Sequence, residues 1–100
     1  MQIDKLKGKE LDQLFEAILS LKTIEECYLF FDDVCTVNEM KTLAQRLQVA
    51  RMLQAKGKYT QIEEETGAST ATISRVKRCL EYGQGGYSLV LDRIIKPEEG

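Results

Sequence analysis

Apolar residues recur along most of this chain at the three- and four-residue spacing of an amphipathic helix, in separate blocks. Leu11, Leu14, Phe15, Ile18, Leu19 and Leu21 form the first block and predict a helix over about 8–21. Thr23 followed by Glu26 is a capping-box spacing. It predicts a second helix over about 23–34, holding Ile24, Cys27, Tyr28, Leu29, Phe30, Phe31 and Val34. That helix is apolar almost all round and is expected to be buried on most sides. In so short a chain such burial is hard without a second subunit. Thr36 and Glu39 repeat the capping-box spacing and open a long helix over about 37–56. Val37, Met40, Leu43, Ala44, Leu47, Ala50 and Leu53 form its core stripe, and Gly57 is expected to stop it. The first ten residues are polar and are expected to fray.

Between Tyr59 and Val76 the pattern tightens. Thr60 with Glu63 reads as a third capping box, opening a short helix over about 60–66 whose inner face carries Ile62 and Thr66. Gly67 sits where the chain must turn sharply, a place for a residue tolerant of positive φ. Ser69 caps a further helix over about 69–82, on which Ala68, Ile73 and Val76 supply the inward face and Gly83 the stop. Ser69, Thr70, Ala71, Ser74, Arg75 and Arg78 fall on the opposite face, which is small, hydroxyl-bearing and cationic and carries no acid. The whole reads as a helix-turn-helix. Glycine also joins helices in plain hairpins, but a plain hairpin does not require such a face. This one suits a DNA major groove, with methyl and hydroxyl groups toward base edges and guanidinium groups toward guanine or phosphate. Thr72 belongs to the same run, and Tyr59 and Thr60 stand at the head of the preceding helix, so all three join the DNA-facing set.

After residue 82, Gly83-Gln84-Gly85-Gly86 forms a hinge. Tyr87 to Ile95 is short and apolar, and periodicity does not separate helix from strand there; a short helix is expected. Lys96 to Gly100 is a polar tail. The fold class expected is all-α, with five to six helices in one structural domain. Residues 1–56 form a helical dimerisation core, 57–82 the DNA-binding hairpin, and 83–100 the hinge, short helix and tail.

Charge sharpens the DNA reading. The net charge is only −2 over 100 residues. Residues 1–40 carry four Lys against nine Asp or Glu, a net −5, whereas residues 41–82 carry eight Lys or Arg against four Glu, a net +4. Charges farther apart than a Debye length, about 8–10 Å at physiological salt, are largely screened, so the local basic patch outweighs the total. On the long helix Lys41, Arg46, Arg51, Lys56 and Lys58 follow the first turn with no acid between them. A solvated face explains most charge runs. Adjacency to the hairpin makes Arg46 and Arg51 candidates for phosphate contact.

Other chemistries find no support. There is no His, and Cys27, Cys35 and Cys79 form no Cys-x-x-Cys pair, so no usual zinc set can be written. Free thiols fit a reducing cytosol. Met1-Gln2-Ile3-Asp4-Lys5 does not open a signal peptide, and no apolar run approaches the roughly 20 residues of a membrane span. No nucleophile–base pair can be assembled. The glycine hinge lacks both a preceding strand and a following Lys-Ser/Thr, so it is a poor phosphate cradle. No cofactor is expected and the chain is not read as an enzyme.

From Thr36 onward, the long helix with Leu43 and Arg46, and then Gly67-Ala68 and Ala71-Thr72-Ile73-Ser74-Arg75, resemble the Trp repressor family. The run Gly67 to Val76 resembles in particular the YerC/YecD-type branch. The resemblance is strong over about 36–82 and extends to the first two helices by pattern only. It implies an intertwined all-helical homodimer whose hairpins meet successive major grooves of double-stranded DNA. It also implies a corepressor pocket in which Arg46 and Arg75 match the arginines that flank the indole ring in tryptophan-binding members. Where those members have glycine this chain has Val76, and where they have a serine near the ligand amino group it has Cys79. Arg46, Arg75, Val76 and Cys79 therefore mark a vestigial pocket, with Val76 filling the gap a ligand would occupy. Cys79 is read as structural, on the flank of Val76.

The leading expectation is a sequence-specific DNA-binding regulator, most simply a repressor, that does not need tryptophan. One alternative is a regulator responsive to another small effector. The other is a protein-interaction module that has lost DNA, which Glu63, Glu64 and Glu65 favour by placing negative charge where phosphate would run.

Overall fold

The computed structural model describes residues 1–95. A 3-10 turn over Gln2–Leu6 precedes six α-helices, with no strand among the described residues. The helices are α1 (Lys9–Leu19), α2 (Ile24–Val34), α3 (Val37–Gln54), α4 (Tyr59–Thr66), α5 (Thr70–Tyr82) and α6 (Gly86–Ile95). The expected all-α class is observed. The tail expected from Lys96 onward lies outside the described residues. The chain divides into two compact units, Met1–Met40 and Lys41 onward. The division falls within the first turn of α3, and Val49 and Ala50 of that helix belong to the buried cluster of the second unit.

In the first unit, polar caps set the helix starts. The Thr23 hydroxyl accepts from the Glu26 N–H at 3.0 Å, and the Glu26 carboxylate accepts from the Lys22 N–H at 2.8 Å. At α3 the box closes on itself. Thr36 Oγ1 accepts from the Glu39 N–H at 3.1 Å, and Glu39 Oε1 accepts from the Thr36 N–H at 2.8 Å. Two orphan donors of the helix start are thereby satisfied. The Thr36 backbone N–H, and secondarily its side chain, hold the Glu39 carboxyl below the ordinary carboxylate range. The folded-state value is the lower one, so this contribution is present above the ordinary carboxylate value and fades as acid protonates Glu39.

Two expectations for this unit are corrected. Residues 2–6 do not simply fray. The amino terminus lies 3.2 Å from the Asp4 carboxylate, and the Asp4 N–H donates to the Met1 carbonyl. Nor is α2 buried within one chain. Ile24 and Tyr28 are 77% and 75% exposed, Leu29 and Val34 more than half exposed, and no residue of 1–40 is fully buried. Phe30 and Phe31 pack edge to face, with ring centroids 5.2 Å apart. An eleven-residue helix with so much apolar surface in water has no covering layer within its own unit.

The second unit holds the core. Val49, Ala50, Ile62, Ala68, Ile73, Val76 and Leu91 are buried together, with Leu47, Met52, Leu53, Tyr59, Leu80 and Tyr87 packed around them. The short helix expected after the glycines is observed as α6. Tyr87 and Leu91, one turn apart, both turn to this core while Leu89 between them is 52% exposed, which is helical and not strand spacing. Gln54 Nε2 donates to Ser88 Oγ at 3.3 Å and ties α6 to α3. Gly83 is needed for close approach rather than for its φ, since a Cβ there would collide with the Cys79 carbonyl.

The end of α3 differs from expectation. Lys56, not Gly57, takes the left-handed conformation, with φ 65°. The Lys56 N–H donates to the Leu53 carbonyl and the Gly57 N–H to the Met52 carbonyl, the two bonds of a Schellman close. Gly57 is the next residue, and a Cβ on it would press on the Met52 carbonyl at 3.0 Å. A lysine in this region carries a Cβ penalty of about 1–2 kcal/mol, partly offset by the extra unfolded-state entropy of glycine. Lys56→Gly is therefore expected to stabilise the protein by about 0.5–1 kcal/mol in urea unfolding at fixed protein concentration; an equal loss contradicts this account of the helix end.

Candidate nucleic-acid interface

The hairpin is built from the turn outward. Gly67 caps α4 in the left-handed conformation, φ 73° and ψ 5°, and its N–H donates to the Glu63 carbonyl at 2.9 Å. The Thr66 hydroxyl donates to the Ile62 carbonyl at 2.6 Å and accepts from the Ala68 N–H at 3.1 Å. Gln45 Nε2, reaching over from α3, donates to the Thr66 carbonyl at 3.1 Å. Carbonyls and amides that the helix end would leave unpaired thus find partners. Ser69 then caps α5, accepting from the Thr72 N–H at 3.2 Å and donating to Thr72 Oγ1 at 3.1 Å. Ala68, Ile73 and Val76 fix the angle at which α5 leaves, since all three are buried.

The capping box expected at Thr60 and Glu63 does not form. α4 starts one residue earlier, at Tyr59, with Lys58 as an N-cap that makes no side-chain bond. Thr60 is already inside the helix, and the Glu63 carboxylate turns elsewhere. Glu63 Oε1 accepts from the Thr70 hydroxyl at 3.1 Å. The outward face read as free of acid therefore has a carboxylate at its leading edge, contributed by the other helix.

Around that edge Ser69, Thr70, Ala71, Ser74, Arg75 and Arg78 are exposed, as is Thr60. Thr72 is half-buried, drawn into the cap by its bonds to Ser69. Tyr59 is half-buried too. Its ring packs on the core and carries the Lys77 ammonium 5.9 Å from its centroid, while Lys77 also lies 4.0 Å from the Glu81 carboxylate. On α3, Arg51 is exposed and Arg46 half-buried. Arg51, Arg75 and Arg78 form no ion pair among the described residues.

The four positions read as a vestigial pocket divide. Val76 is 2% exposed and belongs to the core. Cys79 is exposed, not structural packing, because the inward row of α5 continues from Val76 to Leu80 and leaves Cys79 on its shoulder. The half-buried Tyr87 phenol of α6 lies within electrostatic reach of Cys79, Arg46 and Arg75. Burial pushes its pKa up, Cys79 adds to the rise, and the two arginines pull it back. Gln45, Glu63 and Tyr87 were not singled out for these roles by spacing. Only Tyr87 left a trace in the sequence, its four-residue step to Leu91. Among the described residues no group of three His, Cys, Asp or Glu could hold a metal ion, and no helix is long and apolar enough to cross a membrane.

A family model described as Trp repressor protein matches residues 9–95. The chain belongs to the Trp repressor family. It is 68% identical to YerC of Bacillus subtilis (strain 168), an uncharacterized protein, over 98% of this chain and 94% of that one. A crystal structure of a candidate Trp repressor from Staphylococcus aureus superposes with a TM-score of 0.91 at 61% identity, covering 94% of each chain. A TrpR-like protein from Eubacterium eligens ATCC 27750 gives 0.88 at 56% identity, covering 91% of this chain and 94% of that one. The Trp repressor-like fold is thus established, and it is a regulator fold rather than that of an enzyme family.

In this Trp repressor-family chain, Tyr87 ionises above the ordinary phenol value of 10.0. The folded state favours the neutral phenol, so its contribution is present below that value and fades as the pH climbs through the raised one. Of the four tyrosines, one is expected to ionise late in an alkaline absorbance titration, and Tyr87→Phe to remove that phase; a titration unchanged by the substitution contradicts the assignment.

Proposed function

We propose that the protein is a homodimeric, sequence-specific DNA-binding regulator of transcription, most simply a cytosolic repressor, that needs no tryptophan. The observation that carries this reading is the division of α5. Ile73 and Val76 are buried while Ser69, Thr70, Ala71, Ser74, Arg75 and Arg78 stand exposed. A helix seated by its own core and presenting hydroxyl and guanidinium groups suits the major groove, with Arg75 and Arg78 directed to guanine or phosphate and Thr70 and Ser74 to base edges. Arg51, and more weakly the half-buried Arg46, serve the phosphate backbone.

Dimerisation is supported by the first unit. Leu14, Phe15, Leu19, Ile24, Tyr28, Leu29 and Val34 are all exposed in a single chain, Leu19 by 84%. Exposed apolar surface on this scale marks an interface, and two copies also give the two recognition helices that a pair of half-sites requires. The dimer is assigned to residues 8–56. Val76 fills the space where a ligand would otherwise complete the seat of α5, so the DNA-competent orientation should not depend on tryptophan. A ligand shifts an equilibrium only by its differential affinity for the two states.

A protein-interaction module is the second reading, favoured by the exposed Glu63, Glu64 and Glu65. Salt separates the two. Phosphate contacts give a log–log slope of roughly −0.9 per contact, and fluorescence anisotropy on duplex DNA is expected to show it. Arg75→Ala and Thr70→Ala should relax sequence preference by about 1–3 kcal/mol at one base pair. Arg51→Ala should weaken binding to every sequence alike and flatten the slope. Equal loss on specific and random duplexes for all three variants contradicts the groove assignment. Sedimentation at micromolar protein should give a dimer; a stable compact monomer contradicts the assignment of residues 8–56.

A further inference from the structure

The hydroxyls at the leading edge of α5 have their protons committed. Thr70 Oγ1 donates to Glu63 Oε1, and Ser69 Oγ donates to Thr72 Oγ1. A hydroxyl has one proton to give and lone pairs to spare, and an ionised carboxylate only accepts. Toward solvent, Thr70 thus offers lone pairs, and Glu63 adds a carboxylate with a second oxygen that accepts no hydrogen bond from a described side chain. Thr70, Ser74 and Arg78 follow one another at four-residue steps along one side of α5. Arg78 donates and accepts nothing. The exposed face therefore has a direction: acceptors at the Thr70 end, and donors on the order of 12 Å away at the Arg78 end, at 1.5 Å per residue.

A carboxylate near a phosphate backbone works against binding unless it meets a donor. In the major groove the donors are the exocyclic amino groups, cytosine N4 and adenine N6. Adenine sets its N7 acceptor beside the amino group, and guanine shows only acceptors, N7 and O6. Both place lone pairs against a carboxylate, so cytosine is the base that suits an all-acceptor corner.

Resting on the DNA-binding reading above, we propose that Glu63 is a specificity-determining residue. Its carboxylate, held by the Thr70 hydroxyl, accepts from the N4 amino group of a cytosine in each half-site and disfavours guanine at that position. The carboxylate comes from α4 rather than from the recognition helix. Its role is discrimination, and its cost is a weaker hold on DNA of other sequence.

The test is selection from a random duplex library by the full-length wild type and by Glu63→Gln, Glu63→Ala and Thr70→Val. Glu63 and Thr70 are exposed, and circular dichroism checks that each variant is folded. Wild type is expected to select an operator with one cytosine-requiring position per half-site. Glu63→Gln should move that position toward adenine, which a glutamine amide meets through N6 and N7 together. Glu63→Ala should leave it unselected while the remaining positions stand, and should bind unselected DNA several-fold more tightly at low salt. Thr70→Val should blur the same position. If wild type selects an operator and the Glu63 variants select the same bases at every position, this proposal is overturned and the DNA-binding reading stands. If wild type selects nothing, that reading falls and takes this one with it.

Discussion

The seat of α5 rests on a few buried side chains. Ile73 and Val76 of α5 meet Ile62 of α4, Val49 and Ala50 of α3 and Leu91 of α6 in one cluster, each at 2% exposure or less. Interiors packed this closely do not deform continuously, so the direction in which α5 presents its outer face is set by the shapes of its inner ones. The hydrogen bonds of the turn add to this without replacing it. Gly67 supplies the left-handed corner, and Gln45 and Thr66 satisfy the polar groups that the corner exposes. Tyr87 and Leu91 close the cluster from α6, so the hinge at Gly83 to Gly86 joins two helices packed on a common core.

This arrangement contrasts with the first unit, where nothing is fully buried and large apolar side chains face water. The second unit contains its own stabilising core, whereas the first leaves its apolar faces uncovered within one chain. Under the proposed function this division of labour has a physical rationale. Regulators that read paired half-sites must hold two recognition helices at a fixed spacing. An N-terminal unit that buries its apolar faces only against another copy couples folding to pairing.

The sequence carried much of this because the governing signals are local. Thr23 with Glu26, Thr36 with Glu39, and Ser69 were legible as caps, since each bond spans three residues. Ile62, Ala68, Ile73 and Val76 were legible as core because their spacing follows the helix. What was not legible depends on which atoms meet across elements. Thr60 and Glu63 have the spacing of a box, yet a helix beginning at Tyr59 leaves Thr60 inside it and sends Glu63 to Thr70. Glycine at 57 was legible as the stop of α3, but not that the left-handed residue is Lys56 and that Gly57 serves close approach to Met52. Cys79 sits one position from the inward row, a difference that helical periodicity resolves poorly. The Tyr87 environment, shared with Arg46, Arg75 and Cys79, joins positions more than 40 residues apart in the chain.

Under the proposed function, side-chain packing with no ligand holds α5 in its DNA-competent orientation. Native-state hydrogen exchange of the amides in Ile73 to Leu80, with and without millimolar tryptophan, tests it most directly. The account predicts protection in the ligand-free protein equal to that of the Val49–Ala50 region of α3, unchanged by tryptophan and lost first in Val76→Gly. Weak protection of α5 in the free protein that tryptophan raises to the level of α3 would contradict it.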